Sequence, residues 1–372
     1  MKLLFWSCAF LVLFAYAGYP IYLYVRARYW PRRVQRASTY PRIAIVLAVH
    51  NEEKNLLRKL SNLEGLDYPP ERLEVIVVSD GSTDQTNQIL REWQRPSRRA
   101  VILPDHCGKA NALNHGIAAA QGELICFVDA RQTIASDGLR NLASNFADPS
   151  VGCASGELIL RGSQQVKLPH GGGLYWRLEK NMRKWEGMTG STVGATGAFY
   201  AVRRSLVPPL PGGTILDDVY IPLHVARQGS RVIFDPSAVV WDDLNPSLKQ
   251  EFRRKVRTLT GNYQLLQLAP WVLTRSNPLH VRVICHKLLR LIIPFALIGI
   301  LVSTFWLRQS AYGLVFGLQV AFYLLAASAV LPARLGLLSR AANISLTFIM
   351  MNTAAAVALA HFLTGKKAAW AR

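Results

Sequence analysis

Acidic side chains recur in this chain at the ends of apolar runs. VIVVSDGSTDQT (75–86) sets Asp80 behind one such run, ICFVDAR (125–131) sets Asp129 behind another, and ILDDV (215–219) pairs Asp217 with Asp218. Carboxylates in this pattern suit the transfer of a sugar from a nucleoside diphosphate. That chemistry needs a grip on base and ribose, compensation of diphosphate charge, a base for the acceptor hydroxyl and exclusion of water. Asp80, followed by Gly81 and Ser82 at a helix start, can reach a base or ribose edge, and Glu52 can line the same pocket. Asp129 suits a divalent cation bridging diphosphate oxygens. Arg131 stands where a second carboxylate would complete a metal site; its guanidinium offers a bidentate phosphate contact instead, or is a plain surface arginine. Lys109, behind Gly108 at a helix start, is a second phosphate contact. Asp218 is the candidate general base, with Asp217 orienting it or serving only as a helix-start acid. Attack opposite the departing nucleotide would invert the anomeric configuration.

The elements that position these residues follow from periodicity. Ile43–Val49, Leu73–Val78 and Leu124–Val128 are continuous apolar runs, as expected of strands covered on both faces, with a further short strand near Val101–Leu103. Asn51 sits where a helix N-cap belongs, with Leu56, Leu60 and Leu63 on one face of the helix it starts. Ser82 with Gln85 reads as a capping box for the next helix, and Gly108–Ala120 as another. The alternation argues for an α/β fold with a mainly parallel sheet and helices on both faces, ligands binding beyond the carboxyl ends of the strands. After Val151 the pattern is less regular: a strand VGCASGELIL, a glycine-rich turn at Gly171–Gly173, a helix near Leu174–Trp185, a strand at Gly197–Val202, a helix at Asp217–Arg227 and a strand at Arg231–Phe234. Phe252–Leu268 has the arginine-rich amphipathic pattern of a helix lying on a membrane surface. Arg254 and Arg257 on it can contact either a departing diphosphate or lipid headgroups.

The chain has 372 residues, of which 51% are hydrophobic, and the excess lies at its ends. Leu3–Tyr24, Leu291–Leu307, Ala311–Leu331 and about Ile344–Leu363 are charge-free runs near the length that crosses ~30 Å of hydrocarbon. Arg26, Arg28, Arg32, Arg33 and Arg36 after the first run, against Lys2 before it, put the middle of the chain on the cytoplasmic side of a cell (inner) membrane. Arg275, Arg282, Lys287 and Arg290 before the second run, and Arg334 and Arg340 between the third and fourth, agree with this orientation, whereas Lys366, Lys367 and Arg372 conflict with it. The net charge of +20 is largely juxtamembrane arginine, for which anionic lipid is a sufficient partner; no nucleic-acid motif is present. Five scattered cysteines show no metal-ligand spacing and read as reduced. The division expected is 1–40 for the first span and its basic tail, 41–245 for the α/β domain, 246–287 for interface helices and 288–372 for three further spans.

The segments HNEE, VVSDGSTD, GKANALNHGIAAAQGELICFVDA, GATGAFYAVRR, ILDDVYIPLHVARQG and RRKVRTLTGNYQ, in this order over about Ile43–Gln264, carry a family likeness. They resemble the membrane-bound family-2 glycosyltransferases, within them the cellulose synthase, hyaluronan synthase and poly-N-acetylglucosamine synthase group. The resemblance implies a GT-A fold, a cytosolic UDP-sugar donor and an inverting mechanism. It assigns Asp80 to the uridine, Asp129 to the donor diphosphate or its metal, and Asp218 to the base. Two departures stand out. The family's Asp-x-Asp is Asp129-Ala130-Arg131, which leaves a Mg²⁺ or Mn²⁺ requirement open. Its Gln-x-x-Arg-Trp is matched only at Arg257, with Arg254 and Thr258 in the other places. The expected product is an exported polysaccharide or glycolipid, with single transfer to a polyprenyl-phosphate or lipid acceptor, or a non-catalytic nucleotide-sugar-binding subunit, as alternatives. Partners expected are the UDP-sugar, a saccharide or lipid-linked acceptor, the bilayer, and an accessory subunit or second copy.

Overall fold

The computed structural model describes residues 1–161, 170–243, 247–307, 311–329 and 337–365. Arg334, Lys366, Lys367 and Arg372 lie outside them. Among the described residues one eight-stranded sheet is built from β1 (Ile43–Val49), β2 (Leu73–Asp80), β3 (Arg98–Leu103), β4 (Leu124–Val128), β5 (Thr133–Ile134), β6 (Val151–Leu160), β7 (Phe199–Arg203) and β8 (Arg231–Asp242). Its order is β3-β2-β1-β4-β7-β6-β8-β5. The first four strands are parallel, with Ile43 opposite both Leu73 and Leu124. Beyond β4 the sheet is mixed: β7 runs antiparallel to β4 and β6, β8 parallel to β6, and β5 antiparallel to β8. The expectation of a mainly parallel sheet therefore holds, with antiparallel pairings confined to β5 and β7 beyond β4.

The helices are α1 (Lys2–Tyr29), α2 (Glu53–Glu64), α3 (Thr86–Trp93), α4 (Lys109–Ala119), α5 (Gly138–Ser144), α6 (His170–Met188), α7 (Asp217–Arg227), α8 (Leu248–Leu268), α9 (His280–Leu307), α10 (Ala311–Ser328) and α11 (Leu337–Leu363). Every residue of β1 is buried. Its side chains alternate between two cores, Ala44, Val46 and Ala48 meeting Leu113 of α4 and Leu223 of α7, and Ile43, Ile45 and Leu47 meeting Leu56, Leu60 and Leu63 of α2.

Three helix starts differ from the sequence reading. Asn51 does not cap α2; it adopts φ 54° and its amide oxygen accepts the Thr83 N–H at 2.8 Å. Ser82 does not cap α3, because its hydroxyl accepts from Asn51 N–H (3.1 Å) and Ser79 (2.8 Å), while Asp84 takes the Thr86 N–H at 3.0 Å. Local turn geometry lost to cross-linking between the loops after β1 and β2. Gly171–Gly173 are not a turn but belong to the first turn of α6.

Four helices, α1, α9, α10 and residues Ser339–Leu363 of α11, are long and apolar enough to cross a membrane. α1 packs on α9 through Phe5, Cys8, Ala296 and Ile300. Where α1, α6 and α9 meet, His286 lies 2.9 Å from Glu186 and 3.1 Å from Glu179, and the Tyr19 hydroxyl donates to Glu186 at 2.8 Å. Arg290 pairs with Glu179, Arg36 with Asp235, and Arg282 donates to the carbonyls of Glu186 and Thr189. These basic residues have protein partners, which the lipid-only reading of the juxtamembrane charge did not foresee.

α8 is not a free surface helix. One side holds the loop before α7, Gln264 accepting from Ile215 N–H and donating to the Gly213 carbonyl, each at 2.9 Å. The other rests on α11, with Tyr263 stacked on Phe362 at 5.6 Å. A Cβ on Gly261 would come within 2.6 Å of Leu216, whereas one on Gly317 of α10 would meet nothing. Gly261→Ala should therefore lower stability by about 1–3 kcal/mol through overpacking, and Gly317→Ala should not; thermal unfolding of both variants in detergent checks the pair.

Candidate active site

The parallel strands bring their carboxyl ends to one edge, and the sequence-selected residues divide there into two groups. The first group fastens loops. Asp80 is fully buried; its carboxylate accepts the N–H groups of Cys107 (2.9 Å) and Gly108 (2.8 Å) and lies 2.8 Å from His106 Nδ1. Those contacts hold the turn that launches α4. His50 stacks on His106 with centroids 4.0 Å apart. Glu52 accepts from the Asn55 amide at 2.8 Å and its own N–H donates to Thr86 Oγ1. Ser82 closes the loop pair described above. In this arrangement the side chains of Asp80, Glu52 and Ser82 are engaged with neighbouring loops.

The second group forms one charge cluster. Lys109, the first residue of α4, lies with Nζ 3.1 Å from Asp129 Oδ1 and 3.3 Å from Asp217 Oδ1. Its side chain is 18% exposed, that of Asp129 at the end of β4 39%, and that of Asp217 6%. Burial works against the lysine's charge, but Asp129 first, then Asp217 and Asp218, raise its pKa above the usual lysine range. Tyr200, stacked on Phe127 at 4.9 Å, donates to Asp217 at 3.4 Å. Burial and then Asp217 push the Tyr200 phenol well up, so it stays protonated.

Asp218 follows on the first turn of α7, its backbone carbonyl accepting the Ala195 N–H at 2.7 Å. Burial, then the neighbouring Asp217, push its carboxyl up to about 6, with Lys109, Lys287 and Arg183 opposing. A Cβ on Gly197 would sit 2.9 Å from Asp218 Oδ2, so only glycine leaves the carboxylate its place. The arrangement joins an ammonium, two carboxylates it neutralises and a third carboxylate basic enough to take a proton near neutral pH.

Arg131 points elsewhere. It forms a bidentate pair with Asp242 at the end of β8, at 3.1 and 2.9 Å, and Gln132 donates to the same carboxylate at 3.0 Å. The sequence reading of Arg131 as a phosphate contact overlooked Asp242, which is 1% exposed and needs a cationic partner. Nor do the residues present suit the divalent ion that Asp129 suggested. The second motif position is this engaged arginine, an ammonium stands between Asp129 and Asp217, and no group of three or more His, Cys, Asp or Glu side chains among the described residues is arranged to hold a metal. Arg254 pairs with Glu251 at 2.7 Å and lies 5.9 Å over the ring of Trp176. Arg257 makes no ion pair among the described residues. Residues the sequence reading missed include Asp242, signalled by an acidic residue closing an apolar strand, and Arg183 and Lys287, which act on Asp218 from α6 and α9. Lys287 had been counted only toward membrane orientation.

Residues 44–208 match the sequence profile of Glycosyl transferase family 2. The chain is 26% identical over 246 residues to the probable glycosyltransferase YdaM of Bacillus subtilis, covering 62% of this chain and 58% of that protein. It is 25% identical over 229 residues to poly-beta-1,6-N-acetyl-D-glucosamine synthase of Staphylococcus aureus, covering 60% and 55%. The chain thus spans little more than half the length of these curated relatives. Among solved structures, the mannosyltransferase PcManGT of Pyrobaculum calidifontis, in complex with GDP-Man and Mn²⁺, superposes with TM-score 0.71 at 23% identity, covering 98% of this chain and 99% of that one. A likeness at that identity speaks to the fold, which is GT-A.

Removing Arg131 leaves Asp242 with the Gln132 amide alone. Arg131→Ala should lower stability by about 1–3 kcal/mol, nearer the lower figure because the arginine is 42% exposed. Arg131→Lys, which keeps charge without the two-pronged geometry, should fall between; equal melting temperatures for all three proteins would exclude a structural role for the pair.

Proposed function

The chain carries a glycosyl transferase family 2 domain over residues 44–208, and from that premise we propose a membrane-embedded, inverting transferase. It takes a hexosyl or N-acetylhexosaminyl group from a nucleotide sugar, UDP-linked in the first instance, to build or extend an exported polysaccharide or glycolipid. The observation that carries this reading is the cluster of Lys109, Asp129, Asp217 and Asp218 beyond the strand ends. The acceptor hydroxyl gives its proton to Asp218 as its oxygen bonds to the anomeric carbon, and the nucleoside diphosphate departs from the opposite face. Asp217, at the start of α7, is held by Tyr200 and Lys109. Four apolar helices flanking the domain in sequence, with the arginines after α1, support a cytoplasmic donor side and an acceptor reached at the membrane.

A second reading is single transfer to a lipid-linked acceptor. The basic groups that act on Asp218, Arg183 and Lys287, come from helices at the membrane boundary, where a phosphate-bearing lipid headgroup would arrive. The full-length likeness to a mannosyltransferase solved with GDP-Man adds GDP-mannose to the donors worth testing.

Release of UDP or GDP by the detergent-purified chain across a panel of nucleotide sugars tests the reading, with product size separating polymer from single transfer. Asp218→Asn should bind nucleotide as the parent does yet lose transfer by ~10²–10⁴-fold. In the parent, transfer should fall tenfold per unit as pH drops below about 6, because protonation removes the base. A variant that still transfers, or a parent with a flat profile between pH 5 and 8, would rule Asp218 out.

A further inference from the structure

We propose that Lys109 is the resident cation of the donor site, its ammonium meeting the donor diphosphate where a divalent ion would otherwise bridge it. The inference rests on the glycosyl-transfer reading and deepens it. An ammonium has three N–H donors. One is given to Asp129 at 3.1 Å and the charge pairs with Asp217 at 3.3 Å, which leaves donors for a phosphate oxygen, and the Lys109 side chain is 18% exposed. The lysine begins α4, so its charge adds to the positive end of that helix.

Two further observations point the same way. The residue that would complete a metal site is Arg131, tied away to Asp242. Beneath the Asp129 loop a second lysine, Lys59, is 1% exposed and donates to the Gln132 carbonyl at 2.9 Å. The surroundings of Asp129 are therefore already cationic, and a divalent ion there would face Lys109 at contact distance. Repulsion at that range is on the order of several kcal/mol at intermediate dielectric. In the transfer itself the bond from the anomeric carbon to the β-phosphate oxygen breaks with its electron pair on that oxygen. Lys109 stabilises the charge that appears, while the acceptor proton goes to Asp218.

Calorimetric titration of UDP and GDP into the detergent-solubilised full chain, in EDTA and then in Mn²⁺, tests this. Whichever nucleotide binds should do so in EDTA, with Mn²⁺ changing its affinity by less than about threefold. Lys109→Met should bind roughly 10- to 100-fold more weakly in EDTA. It should also gain a dependence on Mn²⁺ that the parent lacks, because Asp129 and Asp217 are then free to ligate. Lys109→Arg keeps the charge between the carboxylates and should bind in EDTA, which guards against a methionine variant that fails to fold. Nucleotide binding by the parent only with Mn²⁺, or undiminished binding by Lys109→Met in EDTA, would overturn the assignment while leaving the transferase standing. Failure of both nucleotides to bind under either condition would sink both.

Discussion

One ammonium between two carboxylates, with a third close by, sets the terms for the site. Asp129 leaves β4 while Asp217 and Asp218 open α7, and a sheet that delivers strand ends to one edge crowds negative charge there. Like charges about 4 Å apart repel by about 1 kcal/mol in water and about 4 kcal/mol at an effective dielectric of 20. Lys109 turns that repulsion into attraction and is itself kept charged by it. The loops beneath follow from the same need. Asp80 must hold the 105–108 turn with its whole carboxylate, because that turn decides where α4 begins and hence where the Lys109 ammonium lies.

The cluster is also tied to the apolar helices. Gln264 on α8 holds Ile215 and Gly213, two to four residues before Asp217, and α8 in turn lies on α11 through Tyr263 and Phe362. α6 carries Arg183 toward Asp218 and anchors Glu179 and Glu186 in the junction with α1 and α9. Burying that junction is expensive unless each charge is paired. Burial opposes the charge on Glu179, yet His286 and Arg290 hold its pKa well below the usual range. A displacement of the apolar helices would therefore reach Asp218, the proposed base, through two separate routes.

Much of this was legible beforehand because it is written in local pattern. Unbroken apolar runs named β1, β2 and β4, the acidic residue after β4 named Asp129, and the acidic pair at a helix start named Asp217 and Asp218. What escaped was set by contacts between segments distant in sequence. Nothing near Asn51 says that its amide will bridge to Thr83 rather than cap its own helix, and nothing near Arg131 announces Asp242, 111 residues away. The amphipathic pattern of α8 read correctly as two faces. Leu265 packs in the domain core and Tyr263 on Phe362 of α11, however, and a pattern of hydrophobicity does not distinguish protein from lipid.

The same geometry moves two groups upward with different results. Lys109 rises because its partners are anions, and so stays protonated across the physiological range. Asp218 rises because burial and Asp217 outweigh Lys109, Lys287 and Arg183, and so comes to about 6. For a carboxyl raised above its unfolded value, the folded state holds the proton more tightly. The stabilisation is full below the unfolded pKa, shrinks as pH rises, and is gone above about 6. Above that pH the ionised Asp218 costs the fold stability relative to an unperturbed carboxylate. The carboxylate that bears this cost lies where Gly197 has no Cβ, one on that residue falling 2.9 Å from Asp218 Oδ2, and a raised, buried carboxyl is the property the proposed proton acceptor uses.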